Sequence, residues 1–207
     1  MKNLFKSILA VLIMVTTALG ASAQINQQSM FKKRAKEAVG SMNTYIKTMV
    51  QRGLTVEKRE RNKRAALTLF IGKGYEYYKN NVRNEGVNMQ TTSINGLGQT
   101  TIKDALMRKY FDNLINLVLN GTYTEVNIET TETYDMEVSQ ARQVGENLWE
   151  CTVTFRQTFE GKNGEIIRYG DVTYKTVKVY MEKIRTDAGD EFKCMLGDVK
   201  AGETQRL

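Results

Sequence analysis

From Ser29 the apolar positions Phe31, Ala35, Ala38, Met42, Tyr45 and Met49 advance by threes and fours, the spacing of one helix face. Gln51-Arg52-Gly53 offers a stop, because glycine commonly follows a helix end. A charged stretch then leads into Ala65-Ala66-Leu67-Thr68-Leu69-Phe70-Ile71, which predicts a second helix ending near Gly72 and Gly74. Val87 to Ile94 reads as a short strand. Thr101 with Asp104 three residues on resembles a capping box. Ile102, Leu106, Tyr110, Leu114 and Leu117 then mark the buried stripe of a third helix, closed by Asn120-Gly121.

From Thr122 the period changes to alternation. Val126, Ile128, Tyr134, Met136 and Val138 lie on one face, and Glu125, Asn127, Glu129, Asp135 and Glu137 on the other. The next run sets Trp149, Cys151, Val153 and Phe155 against Glu150, Thr152, Thr154 and Arg156. Glu160-Gly161-Lys162-Asn163-Gly164 supplies a hairpin loop. A long strand follows from Ile166 to Met181, then a turn at Asp187-Ala188-Gly189-Asp190 and a last strand from Glu191 to Leu196. Such runs predict an antiparallel meander with one wet face. Cys151 and Cys194 both take core parity on strands separated by the long one. Two strand spacings are ~9.5 Å, beyond the ~7 Å a disulfide tolerates, so free thiols are expected.

The order helix, helix, strand, helix and then four strands resembles the NTF2-like superfamily, over nearly all of residues 24–207. That resemblance implies an α+β fold in which N-terminal helices pack on a curved antiparallel sheet shaped as a cone with an open mouth. Cystatin-like sheets are the nearest competing architecture. The superfamily holds both binding modules and small isomerases and dehydratases, so fold alone does not choose a function.

Location constrains the chemistry. The chain opens with Lys2 and Lys6 around a short basic start, followed by an apolar run from Ile8 to Leu19 and the small residues Ala21-Ser22-Ala23. This is the layout of a secretory leader with cleavage before Gln24, so residues 1–23 are expected to leave and 24–207 to form one periplasmic or secreted domain. The 207 residues carry 30 Lys+Arg against 23 Asp+Glu, a net charge of +7 that the leader's lysines partly supply. The modest excess, the absence of a nucleic-acid module near Lys32–Lys36 or Lys58–Arg64, and export together argue against nucleic acid. The basic runs read as solvated helix faces.

The stretch Ser93-Ile94-Asn95-Gly96-Leu97-Gly98-Gln99-Thr100 places two close glycines after a strand and before a predicted helix. A dinucleotide loop would need a third glycine where Thr101 stands, and a P-loop would need a lysine that Gln99-Thr100 lacks. The stretch is therefore read as a tight turn at Asn95-Gly96 with Thr101 capping the helix. No histidine is present, which removes histidine triads, imidazole proton shuttles and most zinc sites. No cofactor and no metal are expected, and carboxylate, tyrosine and lysine chemistry remains.

Glu132 and Tyr134 share the inward parity of Ile128, and Asp171 and Lys175 share that of Val177 and Val179. An inward carboxylate could have a raised pKa and act as a base, which makes Glu132, Asp171 and Tyr134 the candidate catalytic set. Tyr110, Tyr134, Trp149 and Lys175 are the candidate ligand contacts. Bulges near Thr130 or Gly170 would instead turn these groups to water. Two functions follow. The preferred one is a non-catalytic exported module holding a small molecule or an envelope protein, with a homodimer through the sheet as one arrangement. The alternative is a small carboxylate-dependent isomerase or hydrolase, which a buried acid beside tyrosines in a pocket would favour.

Overall fold

The computed structural model describes residues 26–79 and 81–207. The expected leader and its cleavage point lie outside the described residues. Helix α1 spans Lys2–Val50, of which the described part begins at residue 26; α2 spans Val56–Leu67 and α3 Met107–Leu119. On α1 the core stripe is Phe31, Ala35, Val39, Met42, Ile46, Met49 and Val50, all buried, while Ala38 and Tyr45 flank it. The threes-and-fours spacing is as predicted, rotated by one residue over part of its length. Thr55 caps α2, its Oγ1 accepting from the Lys58 backbone N–H at 3.4 Å.

The basic run on α2 is not wholly solvated. Arg59 is 2% exposed, and its guanidinium donates to the carbonyls of Met49 and Gln51 at the end of α1. A helix leaves its last carbonyls unpaired, and this side chain satisfies two of the acceptors at that end. Lys63 pairs with Asp112 of α3. The three helices are thus held together partly by α2's basic residues.

The strands are β1 (Tyr77–Lys79), β2 (Val82–Asn84), β3 (Asn88–Ile94), β4 (Thr100–Leu106), β5 (Glu125–Thr130), β6 (Glu137–Val138), β7 (Arg142–Gly145), β8 (Leu148–Asn163), β9 (Ile166–Thr186) and β10 (Gly189–Arg206). β1 and β2 form a separate hairpin over the face of the sheet away from the helices, where Lys79 Nζ donates to Tyr180 Oη at 2.8 Å and pairs with Glu150 at 3.5 Å. The main sheet has eight strands in the order β4-β3-β10-β9-β8-β5, with β6 and β7 also paired to β8.

The fold class needs a correction. Helices do pack on a large sheet, but that sheet stays open between the edges β4 and β5, and it is neither closed nor curled into a cone. It is also mixed, because β10 joins β3 in parallel. The meander β8-β9-β10 is antiparallel as expected. Extension of β9 and β10 well past their predicted ends lets β10 carry the β3-β4 hairpin as a further pair of strands, so the sheet grows sideways.

The glycine stretch is a turn, but not the entry to a helix. Asn95 Oδ1 accepts from the backbone N–H groups of Leu97 and Gln99 at 2.9 Å each, and Gly98 takes φ +76°. The chain then returns as β4, paired along its whole length with β3 from Ile94 opposite Thr100 to Asn88 opposite Leu106. Thr101 is therefore a strand residue and caps nothing; α3 begins at Met107. Seven continuous backbone pairings outweigh one capping interaction, and Ile102 is left exposed.

Cys151 pairs across with Val179 and Cys194 with Met181, so β9 separates the two free thiols. Among the described residues, no helix is long and apolar enough to cross a membrane.

Candidate functional site

β9 is the axis of the site. On the face toward the helices it presents Tyr169, Asp171, Thr173 and Lys175, then Val177, Val179 and Met181, because alternate residues of a strand share a face. The apolar end lies in the main core beneath α1. The polar end lies beneath α3, and there a cavity of about 370 Å³ remains. Its roof is Tyr110, Asn113, Leu114 and Leu117 of α3. Lys103, Asp104 and Ala105 of β4 and Thr91 and Thr92 of β3 form one side, and Gln157 and Phe159 of β8 the other. Gln157 sits opposite Thr173, and Phe159 opposite Asp171.

Asp171 is 6% exposed. Its Oδ2 accepts from the Tyr169 hydroxyl at 2.6 Å, and Thr173 Oγ1 donates to Oδ1 at 3.5 Å. The Tyr169 hydroxyl in turn accepts from the Ile94 backbone N–H at 3.1 Å, which fixes the phenol against β3. Thr173 belongs to a cluster with Thr92 at 3.2 Å and Thr204 at 3.0 Å, tying β9 to its neighbours. These contacts hold the carboxyl in one orientation.

Burial pushes Asp171 above the usual aspartate range; the Tyr169 hydrogen bond, the charge of Lys175 and the Thr173 contact restrain that rise. Burial and the Asp171 hydrogen bond push Tyr169 up to about 12. Tyr110 moves in the same direction, through burial of its phenol and then the charge of Asp171. Both phenols therefore stay protonated at neutral pH and can donate. Lys175, 5% exposed, is brought down to about 8 by burial, against the pull of Asp171.

Of the residues named from sequence, Asp171, Lys175 and Tyr110 share this cavity. Glu132 and Tyr134 lie elsewhere. β5 ends at Thr130, and a short 3₁₀ turn over Thr133–Asp135 resets the alternation. Tyr134 is consequently 74% exposed, and Glu132 borders a separate cavity of about 120 Å³ with Thr130 and Thr133. Trp149 packs in the core against Phe31, tilted, and Phe192, edge-on, with ring centroids at 5.7 and 5.6 Å.

Tyr169, Thr173 and Gln157 were not singled out from sequence, although the signal was present. Tyr169 and Thr173 have the same parity as Asp171 and Lys175. The alternation placing Trp149 to Phe155 inward also runs on to Gln157. Asn113 carries no such signal, because its place over the cavity depends on how α3 crosses the sheet. Among the described residues, no group of three His, Cys, Asp or Glu side chains could hold a metal ion.

No protein-family profile and no curated protein matches the chain. Among solved structures the chain is similar to one named "Putative Scytalone Dehydratase", from Novosphingobium aromaticivorans, at 10% identity and a TM-score of 0.42, covering 88% of this chain and 91% of that chain. The preference for a non-catalytic module is corrected. The feature set as the mark of the catalytic alternative, a buried acid beside tyrosines in a pocket, is present in Asp171, Tyr169 and Tyr110.

Proposed function

We propose that the cavity between β9 and α3 is a carboxylate-dependent acid–base site that moves a proton on a small carbonyl compound, as an isomerase does. The observation that carries this reading is Asp171, a buried carboxyl held by Tyr169 at the floor of a cavity of about 370 Å³. Ligand pockets occupy about 300 to 1,000 Å³ and combine apolar walls with a few placed polar groups. Here Leu114, Leu117 and Phe159 supply apolar wall, and the row on β9 supplies the polar groups.

Each residue has a distinct task. Asp171 takes a proton from the carbon next to the carbonyl and returns it to a neighbouring position. A base works best when its pKa lies near the working pH, and burial moves Asp171 in that direction. Tyr169 holds Oδ2 at 2.6 Å, whereas Oδ1 takes only the long 3.5 Å contact from Thr173 and keeps a lone pair to offer substrate. Tyr110 keeps its proton and donates to the carbonyl oxygen as negative charge develops there. Proton transfer is therefore expected to rise with pH through a step lying above the ordinary aspartate range.

Exchange of α-protons in D2O tests this without knowledge of the natural substrate. Wild-type protein is incubated with a panel of small aliphatic and aryl ketones, and deuterium uptake is followed by NMR. Exchange above the buffer rate is expected for at least one, and Asp171→Asn should slow it about 10²- to 10⁴-fold. A folded Asn variant as fast as wild type, or a wild type inert toward the whole panel, would sink the reading.

The proposal includes export of residues 24–207 as a single domain, which rests on the leader pattern at 1–23. The intact mass of exported protein should correspond to a start at Gln24. An exported or membrane-held chain that retains Met1 would refute cleavage.

A further inference from the structure

The acid–base reading leaves one buried reactive group without a task. Lys175 lies at the inner end of the polar row and lines the same cavity as Asp171. Its strand neighbours across the sheet are Phe155 on β8 and Ala201 on β10, neither of which offers a charge. Its Nζ donates to the Gln90 carbonyl of β3 at 2.8 Å, and among the described residues it forms no ion pair. A buried ammonium lacking a carboxylate contact gives up its proton readily, whereas an amine needs only one such acceptor.

We propose that Lys175 is a nucleophile that captures a small aldehyde or ketone in this cavity as an imine, a step that rests on the reading of the cavity as the catalytic site. Desolvation is one established way to activate a lysine for this chemistry. The balance is simple. The Nζ lone pair attacks the carbonyl carbon, forming the C–N bond as the C=O π electrons move to oxygen. The carbinolamine then loses that oxygen as water, carrying away both amine hydrogens, and a C=N bond remains. Nothing is oxidised or reduced. Asp171, protonated over a wider pH range than an ordinary aspartate, supplies the proton to the departing hydroxyl and takes it back afterwards.

Spacing suits the two groups to one substrate. Asp171 and Lys175 stand two pleats apart, about 13 Å between Cα atoms at 3.3 Å per residue, with Thr173 between them. A molecule joined to Nζ through its carbonyl carbon extends along the row toward the Asp171 carboxyl. Until Asp171 recovers a proton from the nitrogen the linkage is an iminium, and this iminium is the electron sink when the Asp171 carboxylate removes a proton from the neighbouring carbon. The groups facing Lys175 are Asp171 and Tyr169 on its own strand, Tyr110 on α3, and Lys103 and Asp104 on β4. Asp171 is the charge that pulls against its loss of a proton, and burial prevails, leaving the amine at about 8.

Propanal with borohydride at pH 7 provides the test. At that pH an amine at about 8 has a neutral fraction on the order of a hundredfold above that of a surface lysine near 10.4. At limiting propanal, the reduced propyl adduct should therefore map chiefly to Lys175, enriched at least tenfold over any other lysine by peptide mass spectrometry. Lys175→Met should remove that adduct and leave the background unchanged, and Lys175→Arg should do the same if methionine disturbs the fold. Labelling spread over surface lysines without enrichment at Lys175 overturns the proposal. Wild type that exchanges ketone protons through Asp171 yet leaves Lys175 unlabelled overturns the imine alone. Labelled Lys175 with exchange indifferent to Asp171→Asn overturns the acid–base reading instead.

Discussion

Replacing Arg59 with alanine is expected to lower the unfolding free energy by about 3 kcal/mol or more, from lost charged hydrogen bonds and the void left behind. Arg59 is among the largest fully buried side chains, and it bridges from α2 to the Met49 and Gln51 carbonyls closing α1. Those acceptors have no further helical turn to pair with, and a cation at a helix C-terminus also complements the helix dipole. Alanine leaves the buried Met49 carbonyl without its donor and an empty space between two helices. Arg59→Lys keeps the charge but not the planar fork, so it should fall between wild type and alanine. Urea unfolding at neutral pH measures both. An alanine variant within 1 kcal/mol of wild type would show that water, not Arg59, satisfies the end of α1.

The same residue shows where sequence reasoning stops. Arg59 sits in the run Lys58-Arg59-Glu60-Arg61-Asn62-Lys63-Arg64, where charge density alone indicates a solvated face. Which of those cations turns inward depends on the angle at which α2 meets α1, and composition does not carry that angle. By contrast, the core face of α1 and the alternation of β8 and β9 were legible, because a single buried face imposes a period on the chain. Thr100–Leu106 was misread for a local reason. A threonine followed three residues later by aspartate satisfies a cap pattern, but Thr100, Thr101 and Ile102 also favour a strand. The Asn95 turn decided between them by delivering the chain back alongside β3.

The candidate site was legible in the same uneven way. Asp171 and Lys175 follow from parity on a long strand, which survives because β9 is paired on both sides along much of its length. Glu132 and Tyr134 followed from the same rule applied past Thr130, where β5 had already ended. Periodicity extrapolates only as far as the backbone stays paired. The shape of the sheet was beyond reach for another reason: the parallel junction of β10 with β3 joins segments far apart in sequence, and no local pattern announces it.

Lys175→Met is expected to raise stability at pH 7. Holding a lysine at about 8 rather than 10.5 corresponds to a penalty on the order of 3 kcal/mol for carrying its charge in the fold. Methionine fills a similar length without charge but gives up the bond to the Gln90 carbonyl, worth about 1 kcal/mol, so a net gain of about 1 to 3 kcal/mol remains. The sign of the pH dependence separates this from a simple packing effect. Between about 8 and 10.5 the unfolded chain binds the lysine's proton and the folded chain does not. Wild-type stability should therefore gain from this group as pH rises through that window. The methionine variant lacks that gain, so its advantage should be full below about pH 8 and shrink toward zero or below by pH 10.5. Asp171 acts oppositely in acid. Its raised pKa means the folded state keeps a proton longer, so stability declines as pH rises from the ordinary aspartate value through the raised one. Removing Lys175 takes away a charge that restrains that rise, and the acid slope should extend to higher pH in the variant. Urea unfolding of both proteins from pH 4 to 11 resolves the two windows. A methionine variant less stable than wild type at pH 7, with a parallel profile above pH 8, would mean that Lys175 is a well-solvated structural cation, and the amine chemistry assigned to it would fall as well.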